Sequence, residues 1–211
     1  EEGPESFNCR NAKLHGRRNR LVAQEGVPLL ALVFAIAVLL IRYSSPWLAV
    51  IPSALLVLLF MVFRDPKRSV PSVALGVFSP VDGEVIEVGH FEVGEAGGPA
   101  LRIKIRVNSL GTYTARAPVE GTIKDLGRRG LWLQTDEGDD IVLVFNAHRL
   151  GLAPKAFARI GERLGQGQRC AYLRLTGTAE IQLPIDGKIL VEVGQNVVAG
   201  TDVVANVRGS H

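Results

Sequence analysis

Pro80-Val81-Asp82-Gly83-Glu84-Val85 decides the fold, because it returns as Pro118-Val119-Glu120-Gly121-Thr122-Ile123 and as Pro184-Ile185-Asp186-Gly187-Lys188-Ile189. Each copy reads proline, aliphatic, acid, glycine, any residue, aliphatic. Proline pre-sets φ, and an acid followed by glycine closes a tight turn that feeds a strand. A second element, Gly161-x-x-Leu164-x-x-Gly167, returns as Gly194-x-x-Val197-x-x-Gly200. Its glycines, six apart, suit a hairpin coming back to its partner. A single copy of either element is an ordinary turn; the repeats together predict duplicated β units stacked on one core.

The surrounding sequence agrees. Ile103, Ile105 and Val107 alternate with Lys104, Arg106 and Asn108, the pattern of a half-buried strand. Leu131–Leu133 and Ile141–Phe145 flank Gly138-Asp139-Asp140 and predict a hairpin. No useful helical periodicity follows Pro66. The expected fold is mainly β, and the duplicated body resembles the barrel-sandwich hybrid or hammerhead unit of biotinyl and lipoyl carriers.

Upstream the texture is different. Val27–Ile41 runs 15 residues without a charge and Leu48–Phe63 runs 16, each holding 11 residues drawn from Leu, Ile, Val and Phe. At −0.3 to −0.6 kcal/mol per such residue, each run gains about 3 to 7 kcal/mol on entering a bilayer. The connector Arg42-Tyr43-Ser44-Ser45-Pro46-Trp47 carries a turn signal and two interfacial aromatics. We expect a membrane-inserted helical hairpin, either crossing fully as a transmembrane hairpin or dipping into one leaflet, since both runs are shorter than the roughly 20 residues that span comfortably. Arg10, Lys13, Arg17, Arg18 and Arg20 precede it, and Arg64, Lys67 and Arg68 follow it. That asymmetry places the N-terminus and the β body on the cytoplasmic side of a bacterial-type inner membrane. No cleaved signal peptide is expected. The expected domains are a basic segment 1–20, the hairpin 21–68, the β domain 69–207 and a tail 208–211. The missing initiator Met and the closing Gly209-Ser210-His211 read as edges that need not be native.

Several functions are disfavoured. Cys9 and Cys170 are the two cysteines, too few for a disulfide framework and in keeping with a reducing compartment. The net charge of +3 gives no footprint for nucleic acid. His15, His90, His148 and His211 are scattered, so no metal site is expected. Gly94-Glu95-Ala96-Gly97-Gly98 lacks the Lys-Ser/Thr of a phosphate loop and reads as a hairpin connection.

One ordered set of motifs names a family. Gln24-Glu25-Gly26-x-Pro28, the apolar hairpin, Phe63-Arg64-Asp65-Pro66-x-Arg68, Ser79-Pro80-x-Asp82-Gly83, Arg116-Ala117-Pro118-Val119-x-Gly121, Gly161-Glu162-Arg163-Leu164-x-x-Gly167 and the stretch from Leu183-Pro184 to Gly200 follow one another. Together they resemble the short bacterial phosphatidylserine decarboxylases over roughly Leu21 to Val207. The resemblance implies a proenzyme that cuts itself before an internal serine and leaves a pyruvoyl group. That carbonyl forms a Schiff base with the amine of phosphatidylserine and serves as electron sink for decarboxylation. An Asp and a His are thought to activate the serine.

Position by position, the resemblance keeps Asp82 as the acid but places Tyr113 where the family has histidine. Its Gly-Ser cleavage pair falls on Thr176-Gly177. No serine occurs between Ser109 and Ser210. The expected state is therefore a noncatalytic relative, a pseudoenzyme of phospholipid metabolism without its pyruvoyl cofactor. Its expected roles are binding aminophospholipid, or regulating or scaffolding a lipid enzyme, with a homo-oligomer or such an enzyme as partner. Two rescues keep the decarboxylase reading open: Thr178 as nucleophile after a one-residue slip, and His148 as base. A slip of one residue turns a strand side chain to the other face. Arg64, Asp65 and Arg68, at the hairpin exit, are candidates for lipid headgroups. A lipoyl-like carrier or adaptor is the third reading, against which Lys188 sits in a repeat strand and the sole Met61 sits in the hairpin.

Overall fold

The computed structural model describes residues 26–43, 46–63, 68, 71, 73, 75–94, 97–108, 112–127, 130–148, 154–173 and 176–207. Contacts divide the chain into two units, a helical one over Arg18–Lys67 with Leu110–Thr112 and a β one holding the rest. The basic segment 1–20, Arg64, Asp65 and the tail 208–211 lie outside the described residues.

In the helical unit, α1 (Val27–Tyr43) and α2 (Val50–Phe63) flank a 3-10 turn at Pro46–Ala49. The two helices run antiparallel: a Cβ on Gly26, at the start of α1, would collide with the Phe63 ring at the end of α2. Glycine is thus the residue that lets the helix ends meet. Val33 and Ala37, one turn apart, are buried, whereas Leu32, Phe34, Leu39 and Ile41 of α1 and Val50, Ile51, Val57 and Leu58 of α2 are each more than half exposed. Among the described residues no helix is long and apolar enough to cross a membrane. At 1.5 Å per residue, helices of 17 and 14 residues are about 25 and 21 Å long, short of the roughly 30 Å hydrocarbon core. Full crossing as a transmembrane hairpin, one of the two forms expected, is thus not supplied by the described helices.

The β unit is the predicted duplicated body. Its strands are β1 (Gly76–Phe78), β2 (Gly83–Phe91), β3 (Ala100–Val107), β4 (Thr114–Arg116), β5 (Gly121–Asp125), β6 (Gly130–Gln134), β7 (Asp140–His148), β8 (Lys155–Ala156), β9 (Arg163–Leu164), β10 (Arg169–Tyr172), β11 (Thr176–Pro184), β12 (Lys188–Ile189), β13 (Asn196–Val197) and β14 (Val203–Asn206). An eight-stranded sheet runs β13-β2-β3-β11-β7-β6-β5-β9, and two three-stranded sheets run β1-β14-β12 and β4-β10-β8.

A pseudo-two-fold relates the halves, and the sequence repeats are its imprint. Gly83 of the first Pro-acid-Gly turn pairs with Val197, and Gly121 of the second pairs with Leu164. Gly200 N donates to Ser79 O and Gly167 N to Ala117 O, both at 2.8 Å. Gly194 N donates to Val85 O and Gly161 N to Ile123 O, at 2.7 and 2.8 Å. Gly161, Gly167, Gly194 and Gly200 all have positive φ, which is why glycine recurs there. The two turns tie each other reciprocally: Phe78 N donates to Pro118 O and Arg116 N to Pro80 O, each at 2.9 Å. The third turn feeds β12 through Gly187 and stands outside this dyad.

Alternation gives the large sheet two faces. Val85, Ile103, Ile105, Ile123, Leu133, Ile141, Ala179 and Ile181 are fully buried and form the core. The opposite face carries rows of polar residues, among them Glu84–Arg106–Thr178–Asn146 across β2, β3, β11 and β7. The predicted hairpin is present as β6 and β7, paired Gln134 with Asp140. Gly138 takes a φ of 93° at its tip.

Candidate functional site

The first repeat turn places Asp82 at the end of the sheet, just before β2. Its Oδ2 accepts from Arg68 Nη2 at 2.7 Å and its Oδ1 from the Ala199 amide at 2.8 Å. The Asp82 carbonyl accepts from Asn108 N at 2.9 Å, fixing the turn to the end of β3. Gly83 is required beside it, since a Cβ there would strike the Arg106 carbonyl. The Arg68 and Asp82 side chains retain only 19% and 13% of their exposure, so the pair is mostly desolvated. Arg68, named above as a headgroup candidate, thus spends its charge on Asp82.

Thr176, Gly177, Thr178 and His148 lie at the same end of the sheet on β11 and β7, whereas Tyr113 precedes β4 of another sheet. Gly83 is in register with Val107, and Thr178 with Arg106, so Gly177 stands beside Val107, two strands from β2. At about 4.8 Å per strand, the backbones at Gly83 and Gly177 are ~10 Å apart. Thr176, buried at the start of β11, donates its hydroxyl to the Leu173 carbonyl at 2.5 Å. His148, at the end of β7, is opposite Thr176 in register and not opposite Thr178, whose partner is Asn146. Tyr113 is buried, and its carbonyl accepts from Leu173 N at 2.8 Å. A neutral imidazole at that position would offer a basic ring nitrogen, which a phenol lacks.

Thr178 is half-buried on the polar face, whereas Val107 beside Gly177 belongs to the core face. The slip needed to make Thr178 the nucleophile would need a bulge to offset it. From Thr178 to Gln182, β11 pairs with β3 and β7 without any register shift. The ladder is regular where a compensating bulge would have to be.

Sequence reading missed the charged cluster in the middle of the polar face. Arg102 donates through Nη2 to Glu87 at 2.7 Å, lies 3.6 Å from Glu180 through Nη1, and stacks over the Phe91 ring at 3.3 Å. The Arg102 hydrogen bond holds the Glu87 carboxyl below its usual range, reinforced by Lys104. Glu180 is buried and also accepts from Gln182 Nε2 at 2.8 Å. The only sequence signal was the run of cations at alternate positions of β3, which reads equally as a solvated face. Elsewhere, Arg116 and Arg169 are buried side by side on β4 and β10, and burial pushes the neighbouring Cys170 thiol up to about 12. That thiol is no nucleophile at neutral pH. Among the described residues no group of His, Cys, Asp and Glu is arranged to hold a metal ion.

The chain that carries the polar cluster and the Asp82 turn is similar to several bacterial proenzymes. The phosphatidylserine decarboxylase proenzyme of Nitrosomonas europaea is 30% identical over 205 residues, covering 88% of this chain and 94% of that one. The Nitrosomonas eutropha proenzyme is 29% identical over 208 residues, covering 89% and 96%. That of Burkholderia ambifaria is 26% identical over 206 residues, with the same coverage. No protein-family profile matches the chain. Among solved structures, the glucose permease IIA of Mycoplasma capricolum superposes with a TM-score of 0.47 at 21% identity, over 62% of this chain and 94% of that one, a likeness too slight to argue from. Near-complete coverage in both directions at this identity leaves one conclusion: the chain belongs to the phosphatidylserine decarboxylase family.

Proposed function

We propose that this family member does not cut itself, carries no pyruvoyl group, and acts at a membrane surface by binding aminophospholipid or by supporting a lipid enzyme. The observation that carries the reading is chemical. The position matched to the family's serine is Gly177, which has no hydroxyl, and no serine occurs between Ser109 and Ser210. An internal ester cannot form on glycine, so no carbonyl can be made there. Tyr113 in place of the base, the Thr176 hydroxyl engaged by Leu173, and Asp82 held by Arg68 and Ala199 support it.

The apolar hairpin supports the membrane part of the reading. Helices this short, exposing leucine, isoleucine, valine and phenylalanine on most sides, suit shallow insertion with the ends near the headgroups. Basic residues on both flanks would add attraction to anionic lipid.

The register of His148 opposite Thr176 favours one rival, a decarboxylase cut at a threonine near the start of β11. Intact mass under denaturing conditions separates the two. A single species at the full 22.8 kDa fits the proposal. Two fragments, the smaller starting with a blocked residue at Thr176 or Thr178, would establish the rival.

A further inference from the structure

A cleft of about 980 Å³ opens on the polar face of the eight-stranded sheet, within the size range of small-molecule sites. Val142 and Val144 lie in its floor, and Arg102, Trp132, Asn146, Glu180 and Gln182 are among its polar and aromatic lining. It is built from β3, β5, β6, β7 and β11 with neighbouring turns, and does not include Asp82, Tyr113, Gly177 or Thr178.

Two buried N–H groups in this lining, Arg102 Nε and Trp132 Nε1, have no partner among the described residues. Such groups are costly to leave unmade, and each calls for an explanation. Both are donors, so what they call for is an acceptor. An anion would supply one, but the lining sets the single guanidinium of Arg102 against the carboxylates of Asp125 and Glu180. Arg102 is moreover already neutralised by Glu87 and Glu180. An amine would find the carboxylates but leave both donors unmet.

The remaining chemistry is a neutral molecule bearing several acceptors. The Asn146 amide combines donor and acceptor in one plane, which matches adjacent hydroxyls that both give and take hydrogen bonds, and the Gln182 amide, whose Nε2 is given to Glu180, stands in the same lining. We propose that this cleft binds a neutral polyhydroxylated molecule of saccharide size, with Trp132 Nε1 and Arg102 Nε donating to its oxygens. The site is independent of whether the chain cuts itself.

Trp132 provides the readout. The chain has two tryptophans, so Trp47→Phe leaves Trp132 as the only indole. The full-length Trp47→Phe protein, in an amine-oxide detergent free of sugar, is titrated at constant ionic strength with maltose and methyl glucoside, and separately with inorganic phosphate and ethanolamine. A saturable change in Trp132 emission at millimolar saccharide is expected, with phosphate and ethanolamine giving none. Gln182→Leu and Asn146→Leu should each raise the apparent Kd about tenfold while melting within a few degrees of the parent. Two substitutions at separate strands keep the test decisive if one misfolds. No saturable response to either saccharide, saturation by phosphate or ethanolamine in their place, or unchanged affinity in both folded variants would overturn the proposal.

Discussion

Arg68 Nη2 lies 2.7 Å from Asp82 Oδ2, while the other oxygen of the same carboxylate takes the Ala199 amide at 2.8 Å. An acid that the family resemblance casts as part of a cleavage apparatus is, in this chain, a clamp joining three segments distant in sequence. Removing one partner of a largely desolvated pair strands the other, at a cost greater than the pair's net value. Asp82→Ala should therefore destabilise the β unit by about 2–4 kcal/mol in denaturant unfolding, more than Arg68→Ala. In a double-mutant cycle the two should couple, and strict additivity would show the contact to be idle.

The pseudo-dyad passes between Leu143 and Ile181, which pair across β7 and β11 and are both fully buried. Ile181→Ala removes a side chain that both halves share. A loss of about 2–5 kcal/mol is expected, against under about 1.5 kcal/mol for Ile181→Val. Similar midpoints for both variants in urea would mean the centre of the sheet is not the core.

Two carboxyls should respond to pH with opposite signs. Asp139 is pushed above its usual 3.8 by burial and by Glu137, Asp140 and Asp186, so its charge costs stability at neutral pH. Asp139→Asn should raise the melting temperature at pH 7, and the gain should vanish once pH falls below the ordinary carboxylate range. Glu87 is held below 4.5 by Arg102, so its contribution is present above that value and lost as pH falls through the lowered one. Glu87→Gln should accordingly lower the melting temperature at pH 7 and have no effect in strong acid. Because Glu87 is well exposed, its effect should be small.

Membrane attachment through the hairpin predicts a steep response to charge. Leu39→Asp and Leu58→Asp place a carboxylate on exposed apolar faces of α1 and α2. Each costs roughly 3 kcal/mol near the centre of an inserted segment, so the double variant should leave vesicles in a flotation assay. Retention on vesicles with both changes present would show that the helices do not carry the attachment. Comparing vesicles with and without phosphatidylserine reads the headgroup preference in the same assay.

Self-cleavage predicts nothing for Thr176→Ala and Thr178→Ala if the proposal holds: both should keep the mass of an uncut chain. A parent that splits while either variant stays whole would identify the nucleophile.

The duplication was legible because it depends on local backbone needs. Pro-aliphatic-acid-Gly and Gly-x-x-Φ-x-x-Gly place proline and glycine where φ is constrained, and those constraints act over a few residues. The hairpin helices were legible for the same reason, from uncharged runs. Their lengths, 17 and 14 residues, agree with the short uncharged runs. The proposal that the chain is uncut also starts from the sequence, since a glycine at 177 and a tyrosine at 113 are read without any geometry. Only the tertiary structure decided that Arg68 is bound to Asp82, that His148 pairs in register with Thr176 in place of Thr178, and that Arg102, Trp132, Asn146 and Gln182 share one cleft. Those residues come from strands whose register is set by burial of the opposite face. Side chains brought together across a sheet leave no spacing in the chain to read.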